Sequence, residues 1–218
     1  MKIFLFLLFT LYSVQSYSVN KNATYPKSWW KKVARKNAKS WEILPQDAKK
    51  GQVILSKRTE LKVFSNLAKT PFTFDGNSYQ SIEALWQMMK YPDSQIRNDK
   101  RLKFNNWPFT RDQVKTLSGF ESKHAGSEAN KIMKLLKINW ISYKSHQFNY
   151  KDLKDGTELH YTIIKNAMNE KIKQNPMLKK LLMKTKGLIL LPDHKRKPKL
   201  PKSYYYEKIL MDIRETLK

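Results

Sequence analysis

The stretch that decides the fold is VFSNLAKTPFTFDGNSYQSIEALWQMMKYP, residues 63–92. Aromatic and polar residues alternate on both sides of Asp75-Gly76, and an Asp-Gly pair in such a setting predicts a β-hairpin. The segment SIEALWQMMK that follows predicts a helix, with Ser81 as its N-cap and Tyr91-Pro92 as its end. A hairpin that leads directly into a helix indicates a mixed α+β fold.

The predicted helix carries one narrow polar stripe beside a broad apolar face. At about 100° per residue, Glu83, Gln87 and Lys90 fall within about 60° of one another. Because the apolar face is broad enough to bury most of the helix, we expect the stripe to face a pocket. A stripe that is simply solvated is the alternative interpretation. The apolar face consists of Ile82, Leu85, Trp86 and Met89.

A pocket lined by a glutamate and a lysine suits glycosyl chemistry. Cleavage of an N-glycosidic bond builds positive charge on the sugar carbon, and a carboxylate can stabilise that charge or activate water. A lysine can bind phosphate, or attack a sugar aldehyde to form a Schiff base. A single carboxylate fits neither of the usual carboxylate pairs of glycosidases, so the spacing alone does not fix the mechanism.

Helical periodicity dominates the rest of the chain. Thr110 and Gln113 fit a capping box at the start of a short helix, and Ser203 is a natural cap for the last helix. The predicted fold class is therefore α+β, mainly helical: a compact single domain with a small antiparallel sheet. Longer helices are predicted over residues 122–137, 157–174 and 176–185, and short strands over residues 52–56 and 188–191.

Residues 1–18 predict a secretory signal peptide. A positive start at Lys2 precedes an apolar run over residues 3–11, and small residues follow at the spacing of a cleavage site. The run is shorter than the roughly 20 residues that span a bilayer. We therefore expect an exported protein, periplasmic or secreted, without stable membrane insertion. An uncleaved membrane anchor is the alternative.

Residues 19–50 predict an N-terminal arm, and residues 51–218 the main domain. The arm is broken at Tyr25-Pro26 and Leu44-Pro45, which disfavour regular structure. Its tryptophans Trp29, Trp30 and Trp41 are expected to anchor it on the domain, since large amphipathic rings serve this purpose more often than they stack on ligands.

The chain is strongly basic, with 43 lysines and arginines against 18 acidic residues and a net charge of +25. Such a field attracts phosphates, nucleic acid and other polyanions. Because the lysines are spread along the whole chain, a general lysine coat is the alternative explanation. The chain has no cysteine, which excludes disulfides and thiolate metal sites. Its four histidines show no metal-ligand spacing, and no cofactor is expected.

Residues 63–92 resemble the core motifs of the NADAR family, also called YbiA-like. That family combines an F-S-N turn, a PF…DG hairpin and a helix reading E-x-x-x-Q-x-x-K, which here is residues 83–90. Asn139-Trp140 resembles the family's tryptophan motif, and residues 163–187 and 208–217 resemble its later helices. The resemblance covers about residues 52–217, and the arm is similar to that of an exported bacterial subgroup.

The resemblance implies a compact α+β fold and N-glycosidase or ADP-ribosyl-removing activity. It implies as substrate either a phosphate-bearing ribosyl small molecule or ADP-ribosylated nucleic acid. By resemblance, Glu83 is the key acid, Lys90 a covalent or phosphate-binding amine, and Trp140 a residue that stacks on the base or shapes the pocket. Further substrate contacts are expected from Ser65, Asn66, Gln87 and Arg58.

The chain departs from the family near its end. Typical members carry a late glutamate and an Asp-x-x-Trp-Gly motif, where residues 188–201 here read LILLPDHKRKPKLP. Asp193 or His194 is expected to replace the missing acid, with Asp193 as the candidate catalytic residue and His194 as a candidate substrate contact. A plain loop role for both residues is the alternative. The sequence thus predicts an exported hydrolase that cleaves a ribosyl N-glycosidic bond. The alternative is a non-catalytic basic module that binds nucleic acid or another polyanion.

Overall fold

A computed structural model of the chain describes residues 24–151, 155–196 and 199–217, so the predicted signal peptide lies outside the described residues. The fold is α+β and mainly helical in a single domain, which confirms the predicted class. The helices are α1 Ile82–Met88, α2 Arg111–Lys115, α3 Gly119–Leu135, α4 Asp155–Gln174, α5 Pro176–Lys184 and α6 Tyr206–Thr216. The strands are β1 Gln52–Ile54, β2 Phe72–Phe74, β3 Asn77–Tyr79, β4 Ile141–Tyr143, β5 His146–Phe148 and β6 Ile189–Leu191.

Strands β2 and β3 form the predicted antiparallel hairpin, with Phe72 opposite Tyr79. Asp75 and Gly76 connect them with φ angles of 50° and 74°. A two-residue turn of this left-handed kind matches the twist of the strands, and glycine adopts it without steric cost. The Asp-Gly pair therefore determines this hairpin locally.

A second hairpin, β4 with β5, was not predicted from the sequence. Its turn consists of Lys144 and Ser145, whose φ angles are 46° and 63°. The backbone has the same left-handed form as the first turn, but no glycine or asparagine occupies it. The usual sequence signal for such a turn is therefore missing.

Strands β1 and β6 pair in parallel, with Val53 opposite Leu190. The pairing joins the beginning of the domain to the segment that follows α5. Both strands were predicted, but their partnership was not, because the segments lie far apart along the chain. The sheets of the described residues are thus three two-stranded pairs.

Helix α1 lies at the centre of the domain. The hydroxyl of Ser81 accepts a hydrogen bond from the Ala84 amide at 3.0 Å, as expected of an N-cap. Ile82 and Leu85 are fully buried, and α2, α3 and α4 all pack against this helix. Within the described ranges, none of the helices is long and apolar enough to cross a membrane.

The N-terminal segment packs against the start of the domain. Trp29 is fully buried and donates to the Glu60 carboxylate at 2.6 Å, while Trp30 donates to the Gln52 carbonyl at 2.9 Å. Trp41 is 47% exposed, and the Lys57 ammonium lies 4.3 Å from its ring centre.

Candidate functional site

The polar stripe of α1 faces the protein interior. Gln87 and Lys90 are only 8% and 4% exposed, and Glu83 is partly buried. The Gln87 amide donates to Glu83 Oε1 at 2.6 Å, one helical turn away. The structure therefore brings these three predicted residues together, with Gln87 and Lys90 buried and Glu83 partly open to solvent.

Burial changes the acid–base behaviour of the stripe. It raises the pKa of Glu83 above its ordinary value, an effect that the Gln87 hydrogen bond and the Lys90 charge partly offset. Burial also lowers the pKa of Lys90 to about 8, against the opposing attraction of Glu83. Because the two shifts run in opposite directions, the pKa values of Glu83 and Lys90 lie closer together in the protein than in water.

Helix α3 closes the stripe from one side at Gly126. The Lys90 ammonium lies 3.5 Å from the Gly126 carbonyl, and a Cβ atom at position 126 would overlap the side-chain amide of Gln87. A glycine is therefore needed here for α3 to approach α1 this closely while Gln87 holds Glu83.

The turn Ser65-Asn66 abuts the first turn of α1. The Asn66 carbonyl accepts a hydrogen bond from the Glu83 amide at 2.9 Å, and the Ser65 hydroxyl accepts from the Leu67 amide at 3.2 Å. Within the described residues, the buried Asn66 Oδ1 has no hydrogen-bond partner. The two predicted contacts Ser65 and Asn66 thus lie beside the first turn of α1, which carries Glu83.

Lys171 is a buried residue of the site that the sequence analysis did not single out. It is 3% exposed, and its ammonium donates to the carbonyls of Val63 and Ser65 at 3.3 and 3.4 Å. Burial lowers its pKa to about 7. The signal was present in the sequence, because position 171 follows Ile164 and Ala167 at helical spacing on the buried face of α4.

His160 of α4 lies behind the stripe. Its Nδ1 is 2.9 Å from the Ser203 hydroxyl, and its ring centre is 4.6 Å from that of Trp86. Burial, with a smaller contribution from the Lys90 charge, lowers the pKa of His160 to about 3. The imidazole is therefore neutral at ordinary pH and serves packing of the core.

Three other predicted residues gather at a different place, around Glu42. Arg58 binds the Glu42 carboxylate at 2.8 Å, and His194 forms a β-bridge with Glu42. The Asp193 carboxylate lies 3.0 Å from His194 Nδ1. Within the described residues, no hydrogen bond or ion pair joins Arg58, Asp193 or His194 to the stripe. The structure thus does not bring this group to Glu83.

Trp140 also has a partner of its own. The Arg101 guanidinium lies 4.4 Å from the Trp140 ring centre, and Arg101 forms a fully buried ion pair with Asp99 at 2.8 Å. One face of the ring is therefore covered by a cation. Within the described part of the chain, no ring contact or hydrogen bond connects Trp140 to Glu83.

Two surface cavities lie apart from the stripe. One, of about 410 Å³, is lined by residues around Glu42, and the other, of about 770 Å³, lies beside the β2–β3 hairpin. Within the described ranges, no group of three or more histidines, aspartates or glutamates could hold a metal ion.

Comparison with solved structures found a similarity at low sequence identity. The chain is similar in structure to the E. coli protein YbiA. The two are 17% identical, with a TM-score of 0.46 to the NMR structure of YbiA, over 77% of this chain and 86% of that chain. No family model and no curated protein matches the chain. The similarity to YbiA is thus at low sequence identity, and the exported subgroup stays a prediction.

Proposed function

We propose that this chain is a hydrolase that cleaves a ribosyl N-glycosidic bond in an ADP-ribose-type or phosphoribosyl substrate. The observation that supports the proposal is the largely buried stripe of acid and amide on α1 and amine in the turn after it, in which Gln87 donates to Glu83 at 2.6 Å. The motif resemblance of residues 63–92 points to the same chemistry.

Glu83 is the proposed catalytic carboxylate. Breaking the bond between ribose and a base creates an oxocarbenium-like centre, which a nearby carboxylate stabilises or supplies with a directed water. The bond from Gln87 fixes Oε1 and leaves Oε2 for the substrate. Burial of the carboxyl strengthens its interaction with a developing positive charge, because the local dielectric is low.

Lys90 is the proposed second functional group. With its pKa lowered to about 8, a substantial part of the amine is neutral in mildly alkaline solution. The neutral form can add to the aldehyde of an opened ribose and form a Schiff base, with the aldehyde oxygen leaving as water. The charged form can hold a phosphate. Since no contact joins Asp193 to the stripe within the described residues, the proposed chemistry runs through Glu83 and Lys90 alone.

Export and the division into arm and domain belong to the same proposal. The apolar run of residues 3–11 supports export to the periplasm or the medium. An exported enzyme meets ADP-ribose-type, NAD-like or nucleic-acid-linked compounds there rather than cytoplasmic intermediates, and the net charge of +25 draws in their phosphates.

The test is a product assay with a matched pair of variants. Purified protein without residues 1–18 is incubated with ADP-ribosylated guanine in DNA, with NAD and with ribosylamino phosphates, and products are identified by mass. We expect Glu83→Gln to abolish turnover with the fold retained, since it removes the charge and keeps the size. Glu121→Gln, the same change at an exposed position of α3, should retain activity. Unchanged turnover in Glu83→Gln removes the catalytic assignment.

The alternative function, a basic module for nucleic acid or another polyanion, is supported by the net charge of +25. A binder of that kind loses affinity steeply with added salt, whatever residue stands at position 83. Salt titrations of binding with the original chain and with Glu83→Gln therefore separate it from the enzyme, which also releases free base or ADP-ribose.

A further inference from the structure

The larger surface cavity is a site that the proposed chemistry does not use. Its volume of about 770 Å³ lies within the range of about 300–1,000 Å³ typical of small-molecule pockets. Helix α1 contributes Met88 to its wall. Met88 points about 140° away from Glu83 around the helix axis. The cavity and the polar stripe therefore lie on different faces of α1.

One wall of the cavity is aromatic. It comes from the irregular segment FNNWPF, residues 104–109, which places Phe104, Trp107 and Phe109 at the lining. All three are partly exposed. The Trp107 indole donates to the Arg101 carbonyl at 2.9 Å and packs 5.1 Å from the Tyr91 ring centre, so its orientation is fixed. A fixed and partly exposed indole offers a flat surface on which a planar ring can stack.

The polar part of the cavity carries no net charge. Each cation that lines it is paired with an acid that also lines it: Arg111 with Asp93 at 3.4 Å, Lys115 with Asp112 at 2.7 Å, and Lys144 with Asp75 at 2.8 Å. This balance stands out in a chain of net charge +25. A phosphate would have to displace an existing ion pair before it could use any of these cations, so the site disfavours anions.

Neutral hydrogen-bonding groups lie beside the aromatic wall. The two tyrosines at the lining belong to the wall itself, because Tyr79 is only 1% exposed and the Tyr143 hydroxyl already donates to the Asp75 carboxylate at 2.7 Å. Asn105 adds an exposed side-chain amide at the lining. The exposed Asn105 amide and the exposed Ser94 hydroxyl at the lining match the donors and acceptors on the edge of a heterocyclic base.

We propose that this cavity binds an uncharged planar heterocycle of the nucleobase class, stacked on Trp107 and held at its edge by the neutral polar groups. The site goes beyond the proposed function, because no step at Glu83 or Lys90 requires it.

The test measures binding of adenine and of adenosine 5′-monophosphate to the full chain by equilibrium dialysis at fixed ionic strength. We expect adenine to bind and the monophosphate to bind no more tightly. Loss of a stacked base contact costs about 1–3 kcal/mol, so Trp107→Leu should weaken adenine binding by about 5-fold to 150-fold. Trp41→Leu removes an exposed indole outside the cavity and should leave the affinity unchanged.

A second variant keeps the test valid if Trp107→Leu fails to fold. Phe104→Leu keeps an apolar side chain and should also weaken adenine binding, with the thermal midpoint measured alongside. Glu83→Gln should bind adenine like the original chain, whether or not the chain proves to be a hydrolase. The proposal is overturned by tighter binding of the monophosphate than of adenine, by full affinity in both cavity variants, or by loss of adenine binding in Glu83→Gln.

Discussion

Substitution of Gly126 by alanine tests the packing that holds the acid in place. A Cβ atom at position 126 would overlap the Gln87 amide, and it would lie 2.8 Å from Gln87 Cγ, which is closer than side-chain atoms normally approach. Gln87 must therefore leave its position and give up its 2.6 Å hydrogen bond to Glu83. Because Gln87 is only 8% exposed, it has no open space to enter.

One stabilising and two destabilising effects decide the stability of Gly126→Ala. Alanine in a helix interior is favoured over glycine by about 1 kcal/mol. Overpacking a filled interior costs about 1–3 kcal/mol, and a buried polar group that loses its partner costs a similar amount. The free energy of unfolding should therefore fall by about 1–5 kcal/mol in this variant. Turnover should fall with it, because Glu83 loses the hydrogen bond that positions it.

Urea denaturation of a double-mutant cycle tests directly whether overlap with Gln87 causes the loss of stability. Gln87→Ala removes the atoms that the new Cβ would overlap, so Gly126→Ala added to that variant should stabilise it by up to about 1 kcal/mol. The sign of the alanine substitution should thus reverse between the two backgrounds. If Gly126→Ala stabilises the original chain, or destabilises both backgrounds equally, the side chain of Gln87 does not pack against Gly126.

Two further predictions concern pH. The pKa of Lys171 is about 7 in the folded chain against an ordinary 10.5, so the unfolded chain binds more protons between these values and stability rises with pH across that window. Lys171→Met should reduce the rise in urea midpoint from pH 7 to 10. An unchanged dependence of the urea midpoint on pH would contradict the burial of this amine. Arg58 lowers the pKa of Glu42 to about 2 from 4.5, so the stability that Glu42 contributes above pH 4.5 is lost as pH falls toward 2. Glu42→Gln should flatten the acid limb of the stability curve, and an acid limb as steep as before would refute this role.

Local sequence signals predicted much of the fold. The Asp75-Gly76 turn, the Ser81 cap and the capping box of Thr110 with Gln113 are all present in the structure. Each depends on backbone groups within four residues, so the local sequence is sufficient to predict the structure at these places. The β4–β5 hairpin was missed because Lys144 and Ser145 adopt left-handed backbone conformations without the usual residue types.

The candidate site, too, could be predicted from the sequence only in part. Helical spacing alone puts Glu83, Gln87 and Lys90 on one face, but it does not say what covers that face. The cover comes from Gly126 on α3 and from the turn at Ser65, which Lys171 of α4 holds in place; both Gly126 and Lys171 are distant in sequence from α1. The shifted pKa of Lys90 follows from this cover, because desolvation depends on neighbours in space.

By itself, the sequence determined the longer helices, the β2–β3 hairpin and the shared face of Glu83, Gln87 and Lys90, because periodicity and capping act over a few residues. Only the tertiary structure decided that β1 pairs with β6 and that Arg58 binds Glu42 instead of joining the stripe. It also decided that an aromatic loop and three ion pairs enclose a cavity. These outcomes depend on contacts between segments far apart in the chain, whose geometry exists only once the whole core has packed.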